Sequence, residues 1–453
     1  MITRIEALNY RCLRYIRQDL GPFHVLVGPN ASGKTTFLDV VAFLGRLVSE
    51  GPEAAVVDRT QNFQDLVWGR RGDRFELAIE AVIPDDLRKL FDGKQLDAVR
   101  YEVAIGQNPQ TKDIEILSEK ALLKKATRAV IHQRELFPAP HEPPATILTQ
   151  KVSGRAAKTV INKVPGGNDN YYSEVYQESG KGWAPAFKLG PRKSALGNLP
   201  ADATKFPVTT WLKEMLSEGV QSFVLNSLLI RKASPPIRIH GLRPDGSNLP
   251  WVIESLNQRS LNDRHNTSRS PSILQARILP TALTAARPPT HNMPDRFRDW
   301  INHLQTALPD IEDIRTVERP DDKHRYLVIR YRGGLEVPSW MASDGTLRLL
   351  ALTLPAYLND FKGIYLIEEP ENGIHPRAVE TMFQSLSSVY SAQLLLATHS
   401  PVILSVADPS TILCFAKTED EATDIVLGSE HPALRDWRGE TNLGVLFAAG
   451  VLG

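Results

Sequence analysis

The chain has 453 residues, with 53 Lys or Arg against 52 Asp or Glu, so its formal net charge is +1. That length amounts to about three domains of ordinary size, ample to bury a core without disulfides or structural metals. Balanced charge, with 42% hydrophobic and 23% charged residues, excludes a wholly basic nucleic-acid coat, an acidic solvating tail and disorder over most of the length.

In chain order, the first 50 residues read as strand, strand, helix. Ile2–Leu8 and the compact apolar run Phe23–Val27 are strands. A Gly-rich turn, Gly28–Gly33, leads into a helix whose Phe37, Val40, Val41, Leu44, Leu47 and Val48 repeat at three- and four-residue spacing, closed by Gly51-Pro52. Phe75–Ile83 alternates as a strand, and Arg100–Ile105 and Ile114–Leu117 continue a sheet. Residues 137–207 read as loops and short strands, and Thr209–Ile230 has helical spacing. Residues 231–299 hold eleven Lys/Arg and five Asp/Glu, a surplus of six positive charges, and Asn257–Pro271 is polar enough for a mobile loop. The pattern then turns α/β. Arg325–Tyr331 is a strand, Thr346–Leu358 a helix bent or ended near Pro355, Gly363–Ile367 a buried strand, Arg377–Tyr390 a helix and Gln393–Ala397 another strand. There is no internal repeat and no sustained heptad.

Two cysteines, Cys12 and Cys414, exclude a disulfide framework and a CxxC…CxxC zinc site, and read as buried thiols in a reducing compartment. The N-terminus lacks a signal-peptide core, and no stretch reaches the ~18 apolar residues of a membrane span. A cytoplasmic chain without membrane contact is expected.

Four motifs carry chemistry. Gly28-Pro29-Asn30-Ala31-Ser32-Gly33-Lys34-Thr35, followed by Thr36, matches G-x-x-x-x-G-K-[ST] between a buried strand and an amphipathic helix. Its backbone N–H groups would cradle phosphates, Lys34 would reach the β/γ-phosphates and Thr35 would ligate Mg²⁺, which predicts ATP and Mg²⁺ as cofactors. Ile364-Tyr-Leu-Ile-Glu368-Glu369-Pro370-Glu371 is a buried strand that emerges into paired carboxylates. Strand neighbours face opposite sides, so Glu368 is read as the metal-side acid and Glu369 as the general base or water-positioning residue. His399, in Thr398-His399-Ser400-Pro401, lies at the carboxyl end of the next strand and is assigned to the γ-phosphate and attacking water. Ser343-Asp344-Gly345-Thr346 opens a helix, either as a simple N-cap or as an anion site that Gly345 lets a ligand approach.

Together these motifs resemble the ABC-type ATPase heads of the RecF, SMC and OLD (overcoming lysogenization defect) group. Gly28–Thr35 looks like Walker A, Ser343–Thr346 like the ABC signature, Ile364–Glu369 like Walker B, Glu371–His375 like the D-loop, and His399 like the switch histidine. The Glu-Glu-Pro-Glu-Asn-Gly-x-His-Pro and Thr-His-Ser-Pro runs, with Asp245–Leu249 and Leu443–Gly453, look like the single-gene subgroup of AAA-type ATPases in prokaryotic defence modules. The resemblance covers about 1–85 and 325–453. It departs from the wider group in Glu368, where transporter heads have Asp, and in Thr346, where a second Gly is usual.

The resemblance implies an α/β fold, a P-loop NTPase of the ABC-ATPase type, split by a large α+β insertion: head over 1–90 and 325–453, insertion over 91–324. It implies a homodimer that sandwiches two ATP molecules. Lys34, Thr35, Glu368, Glu369 and His399 would act from one protomer, Ser343 and Gly345 from the other. Tyr10 and Arg11 would contact base or ribose, and Gln61 or Gln64 would be the Q-loop glutamine. The basic 231–299 stretch is a DNA or RNA contact, a solvated face or a surface for an acidic protein. Three functions follow: an ATPase that senses or clamps nucleic acid and controls a separate effector (nuclease or toxin) in antiviral defence, a RecF-like repair ATPase, or a nucleotide-gated scaffold with negligible turnover. About 50 residues follow Ser400, without a strand-borne Glu and D-x-D pair, so no built-in nuclease is expected.

Overall fold

The computed structural model describes residues 1–91, 96–126, 134–150, 157–175, 186–236, 241–267, 295–358, 361–434 and 442–450. They divide into two compact units, the first Met1–Phe223, Phe361–Pro370 and Tyr390–Gly453, the second Val224–Asp360 and Glu371–Val389.

The first unit contains two sheets. One has six strands in the order Val220–Phe223, Ile364–Glu368, Gln393–Ala397, Phe23–Val27, Ile412–Lys417 and Thr423–Leu427. Its first five strands are parallel and the last is antiparallel. Phe23–Val27 and Gln393–Ala397 therefore run as near-continuous apolar segments, as interior strands of a parallel sheet do. The other sheet is antiparallel with eight strands: Leu13–Asp19, Ile2–Tyr10, Arg74–Val82, Ala98–Gln107, Ile114–Lys124, Ala157–Lys163, Asp169–Tyr171 and Ala186–Phe187. The helix Lys34–Glu50 shares one apolar core with both sheets, burying Phe37, Val40, Val41, Phe43, Leu44 and Leu47 beside Phe75, Leu77, Ile79, Leu395 and Phe415. Each such side chain contributes about 1.5–3 kcal/mol on burial. The polar face of the antiparallel sheet is balanced by ion pairs. Arg100 meets Glu6 at 2.6 Å, Glu80 at 3.2 Å and Glu102 at 2.8 Å, so its burial leaves no bare charge. The segment Thr146–Thr149 crosses this face, with the Ile147 N–H donating to Glu76 and the Thr149 N–H to Glu102.

The second unit combines the helices Leu249–Thr267, Arg296–Ala307, Asp344–Thr353 and Pro376–Ser387 with a three-stranded antiparallel sheet, Ile311–Glu318, Arg325–Tyr331 and Glu336–Pro338. Its core is tied through Thr353. The buried Trp300 indole N–H donates to Thr353 Oγ1 at 2.9 Å, and Ser385 Oγ donates to the Thr353 carbonyl at 2.7 Å.

Two expectations are corrected, and one strand lies outside the sequence reading. The helical reading of Thr209–Ile230 breaks at Gly219: a helix over Pro207–Ser217 gives way to the strand Val220–Phe223, because pairing with Ile364–Ile367 outweighs local spacing. Asn257–Thr267, read as loop, continues the helix begun at Leu249, while 268–271 lies outside the described residues. The strand Leu13–Asp19 has no counterpart in the sequence reading, because only Leu13 and Ile16 are buried along it. Thr346–Leu358 is bent where expected, with an α-helix to Thr353 and a tighter turn over Leu354–Tyr357 around Pro355. Among the described residues no helix is long and apolar enough to cross a membrane.

Candidate functional site

A cleft of about 510 Å³ in the first unit is lined by groups at the carboxyl ends of Phe23–Val27, Ile364–Glu368, Gln393–Ala397 and Ile412–Lys417. This is the edge where parallel α/β sheets bind ligands. Its floor is the Gly28–Thr35 turn. Gly28 (φ 148°) crosses so close to the neighbouring strand that a Cβ would lie 2.2 Å from the Phe415 carbonyl oxygen. At Gly33 (φ 105°) a Cβ would lie 2.3 Å from Thr423 Oγ1. Both positions need glycine for backbone angle and for space. The helix from Lys34 starts at Gly33 without a side-chain cap, which leaves its first N–H groups for an anion.

Lys34 Nζ donates to the Gly28 and Pro29 carbonyls at 2.8 and 2.9 Å. Burial pushes its ammonium down to about 8, while Glu369 and Glu368 oppose the shift. Thr35 Oγ1 donates to Glu368 Oε2 at 2.5 Å, so the two oxygen ligands assigned to a metal already touch. Among the described residues no cluster of three His, Cys, Asp or Glu could hold a metal by itself. A hydroxyl and a carboxylate suit Mg²⁺, which takes few protein ligands and completes its shell with phosphate and water. Ser32 Oγ is buried and has no hydrogen-bond partner among the described residues, an orphan that a phosphate oxygen would satisfy.

Strand alternation placed Glu368 and Glu369 on opposite sides. Instead the strand ends at Glu368 and the chain turns at Glu369 (φ 45°), so that both line the cleft. The Glu369 N–H donates to the Ala397 carbonyl at 2.8 Å, which fixes this turn against the neighbouring strand. A left-handed glutamate is strained backbone held at a chemical edge. His399 lines the cleft just past Ala397, half-buried, where Thr398 N–H donates to the Leu26 carbonyl and Ser400 caps the helix Pro401–Val406.

Asn30, Ala31 and Thr36 also line the cleft, as does Arg11. Arg11 (φ 51°) reaches Asp39 at 3.3 Å, and Asp39 is held in turn by Arg59. Tyr10 lies elsewhere. It is fully buried against Phe43 and Phe75, and its hydroxyl donates to Asp39 at 2.5 Å. Neither Gln61 nor Gln64 lines the cleft; Gln64 Nε2 donates to the Gly72 carbonyl. The following residues Asp65, Val67, Gly69 and Arg70 line it instead, together with Cys12 and Lys417. The sequence reading missed these. For Lys417 the signal was present, an apolar run Ile412–Ala416 that ends in a cation; for the loop residues there was none.

Ser343 and Gly345 belong to the second unit. Ser343 Oγ accepts from the Thr346 N–H at 3.1 Å as the N-cap of Asp344–Thr353. A Cβ on Gly345 would lie 2.6 Å from the Gly373 carbonyl, so glycine is required where the Glu371–His375 turn packs on this helix. Arg231, one of the eleven cations of 231–299, pairs with Asp344 at 2.6 Å and donates to the Ala342 carbonyl. Of the others, Arg238, Arg269, Arg277 and Arg287, and the Arg264 side chain, lie outside the described residues.

Comparison with known proteins gives a match to the family described as "AAA domain, putative AbiEii toxin, Type IV TA system" over residues 23–143 and 200–405. A curated relative, the OLD nuclease of Thermus scotoductus (strain ATCC 700910 / SA-01), is 46% identical over 41 residues, which span 9% of this chain and 8% of that protein. Similar solved structures include an Smc head bound to the C-terminal winged-helix domain of ScpA (TM-score 0.49, 13% identity, covering 94% of this chain and 97% of that one). An Smc head with extended coiled coil, bound to the C-terminal domain of ScpA derived from Pyrococcus furiosus, gives a TM-score of 0.47 at 14% identity, covering 94% of this chain and 95% of that one. The family match spans well over half of the chain and includes the P-loop helix and the acidic strand that shape the cleft. The chain therefore belongs to this family of AAA-domain proteins, with a P-loop in an α/β fold.

Proposed function

We propose that the chain binds and hydrolyses ATP as a homodimer and uses the cycle to control a separate effector. The observation that supports this is the cleft in which Lys34, Thr35, Glu368, Glu369 and His399 meet. Lys34 and the Gly28–Thr36 backbone hold the phosphates, while Thr35 and Glu368 would hold Mg²⁺, which would supply positive charge to the transferring phosphate. Glu369 orients a water and takes its proton as the water oxygen attacks the γ-phosphorus. The bond to the bridging oxygen breaks, and ADP leaves with the electron pair. His399 donates to the γ-phosphate oxygens and keeps the water in line. Ser343 and Gly345 of a second copy close over the same γ-phosphate, so ATP shuts the dimer and hydrolysis opens it. In this reading 231–299 contacts DNA or RNA. A nuclease or toxin effector on another chain, in antiviral defence within the cytoplasm, completes the proposal; the family description names a toxin, and the curated relative is a nuclease.

Turnover and light scattering of Glu369→Gln test the reading. The variant is expected to bind Mg-ATP, to run as a dimer with ATP, and to lose turnover by about 10²-fold or more. Parental turnover would remove Glu369 as base; a monomer with ATP would remove the dimer. Negligible turnover of the parent chain with and without DNA would favour the gated scaffold.

A further inference from the structure

We infer that Lys417 is a nucleotide-binding residue that grips the α-phosphate of a bound adenosine di- or triphosphate. This rests on the proposed use of the Gly28–Thr35 cleft for ATP. Sheet order carries it. The Phe23–Val27 strand that feeds the phosphate loop has Gln393–Ala397 and then Ile364–Glu368 on one side, and Ile412–Lys417 on the other. His399, Glu368 and Glu369 follow the first pair, so the reacting γ-phosphate belongs on that side. A triphosphate laid along the loop then directs its α-phosphate and nucleoside toward the Ile412–Lys417 side, where Cys12, Thr36 and Lys417 line the cleft.

Register fixes the lysine there. Leu413 and Cys414 pair with Leu26 and Val27, and Phe415 lies under Gly28, so Lys417 is carried two residues further, beside the loop. Lys417 also pairs with Thr423, whose hydroxyl donates to the Ser32 carbonyl at 2.9 Å and whose N–H donates to the Cys12 carbonyl at 3.0 Å. The strand end is thus pinned to both the phosphate loop and the Arg11–Cys12 turn. Residues two apart share a face, and Phe415 on that face packs against Phe37 of the P-loop helix. Lys417 therefore projects on the side of that helix. Its ion pair is with Glu421 at 3.9 Å, and the Glu421 side chain is 82% exposed. Such a pair is weak and screened, so the ammonium is available to a phosphate at little cost.

An α-phosphate contact is made equally to substrate, product and transition state. Its loss should weaken binding of both nucleotides and raise KM more than it lowers kcat. Calorimetric titration of the full chain with Mg-ATP and Mg-ADP tests this with Lys417→Ala, Lys417→Arg and Lys34→Ala. The expected result is on the order of tenfold weaker binding of both nucleotides by Lys417→Ala, a loss that shrinks in 0.5 M salt (~4 Å screening length), with affinity within about threefold of parent for Lys417→Arg. Parental affinity of Lys417→Ala for ADP would overturn the inference and leave the ATP reading standing. A loss confined to ATP would overturn the α-phosphate placement. Failure of the parent chain to bind either nucleotide would overturn the reading on which the inference rests.

Discussion

Replacing Gly33 by alanine places a methyl group 2.3 Å from Thr423 Oγ1, 3.0 Å from Thr423 Cγ2 and 3.2 Å from Cys12 Sγ. Two costs add. The backbone sits at φ 105°, which costs an L-residue about 1–2 kcal/mol. The steric contact falls on a buried threonine whose hydroxyl holds the Ser32 carbonyl, so relief costs a further ~2–3 kcal/mol through overpacking and the lost hydrogen bond. Gly33→Ala should therefore destabilise the first unit by about 3–5 kcal/mol in urea unfolding and weaken nucleotide binding with it. Thr423→Ala alone should cost about 1–2 kcal/mol, for one hydrogen bond and a buried methyl. It also removes the two closest of the three atoms, leaving only Cys12 Sγ, so the double variant should be less damaged than the sum of the singles by about 1–3 kcal/mol. Gly69→Ala is the control, at a cleft-lining glycine with φ 60° and, among the described residues, no atom within 4 Å of the added carbon; only the backbone term of about 1 kcal/mol applies. Additive costs for Gly33→Ala and Thr423→Ala, or equal costs for Gly33→Ala and Gly69→Ala, would refute the steric account of the loop.

Tyr10→Phe should cost about 1 kcal/mol of stability, because Asp39 loses a buried donor, yet leave ATP affinity unchanged; a clear loss of affinity would show that Tyr10 reaches the nucleotide. Asp424 is buried, which by itself would raise its carboxyl, but His141, the Ala139 N–H and Arg134 hold it below the usual carboxylate range. The unfolded chain then binds the proton more readily, so this carboxylate stabilises the fold above the ordinary Asp range, and that stability is lost as pH falls through the folded value. Asp424→Asn should be less stable than the parent near neutrality and lose less on acidification; a parallel acid profile would assign the acid sensitivity elsewhere. Glu119→Ala removes the acceptor for the Tyr101 and Ser194 hydroxyls and the Ala195 and Leu196 N–H groups, all in the core, and should cost at least about 3 kcal/mol in chemical denaturation.

What the sequence determined by itself is what neighbours along the chain can decide. The G-x-x-x-x-G-K-T spacing sets a phosphate loop, because its glycines and the helix after it act within ten residues. The run Ile364–Ile367 ending in Glu368 and Glu369 reads as a buried strand that opens onto chemistry, because burial and charge alternate sharply there. Only the tertiary structure decided which strands are neighbours, and so which side of the loop faces His399 and which faces Lys417. It turned Val220–Phe223 from helical spacing into a strand, because a parallel partner repays extended backbone with hydrogen bonds that no local pattern encodes. It moved Tyr10 into the core and left Arg11 at the cleft, because the tight turn between Ile2–Tyr10 and Leu13–Asp19 sends adjacent side chains to opposite faces. Strand order, turn direction and the reach of a side chain across hundreds of residues are collective outcomes of packing. For that reason Lys34 was legible as a loop lysine from spacing alone, whereas the apolar run Ile412–Ala416 that ends in Lys417 marked a strand end without saying which loop it lies beside.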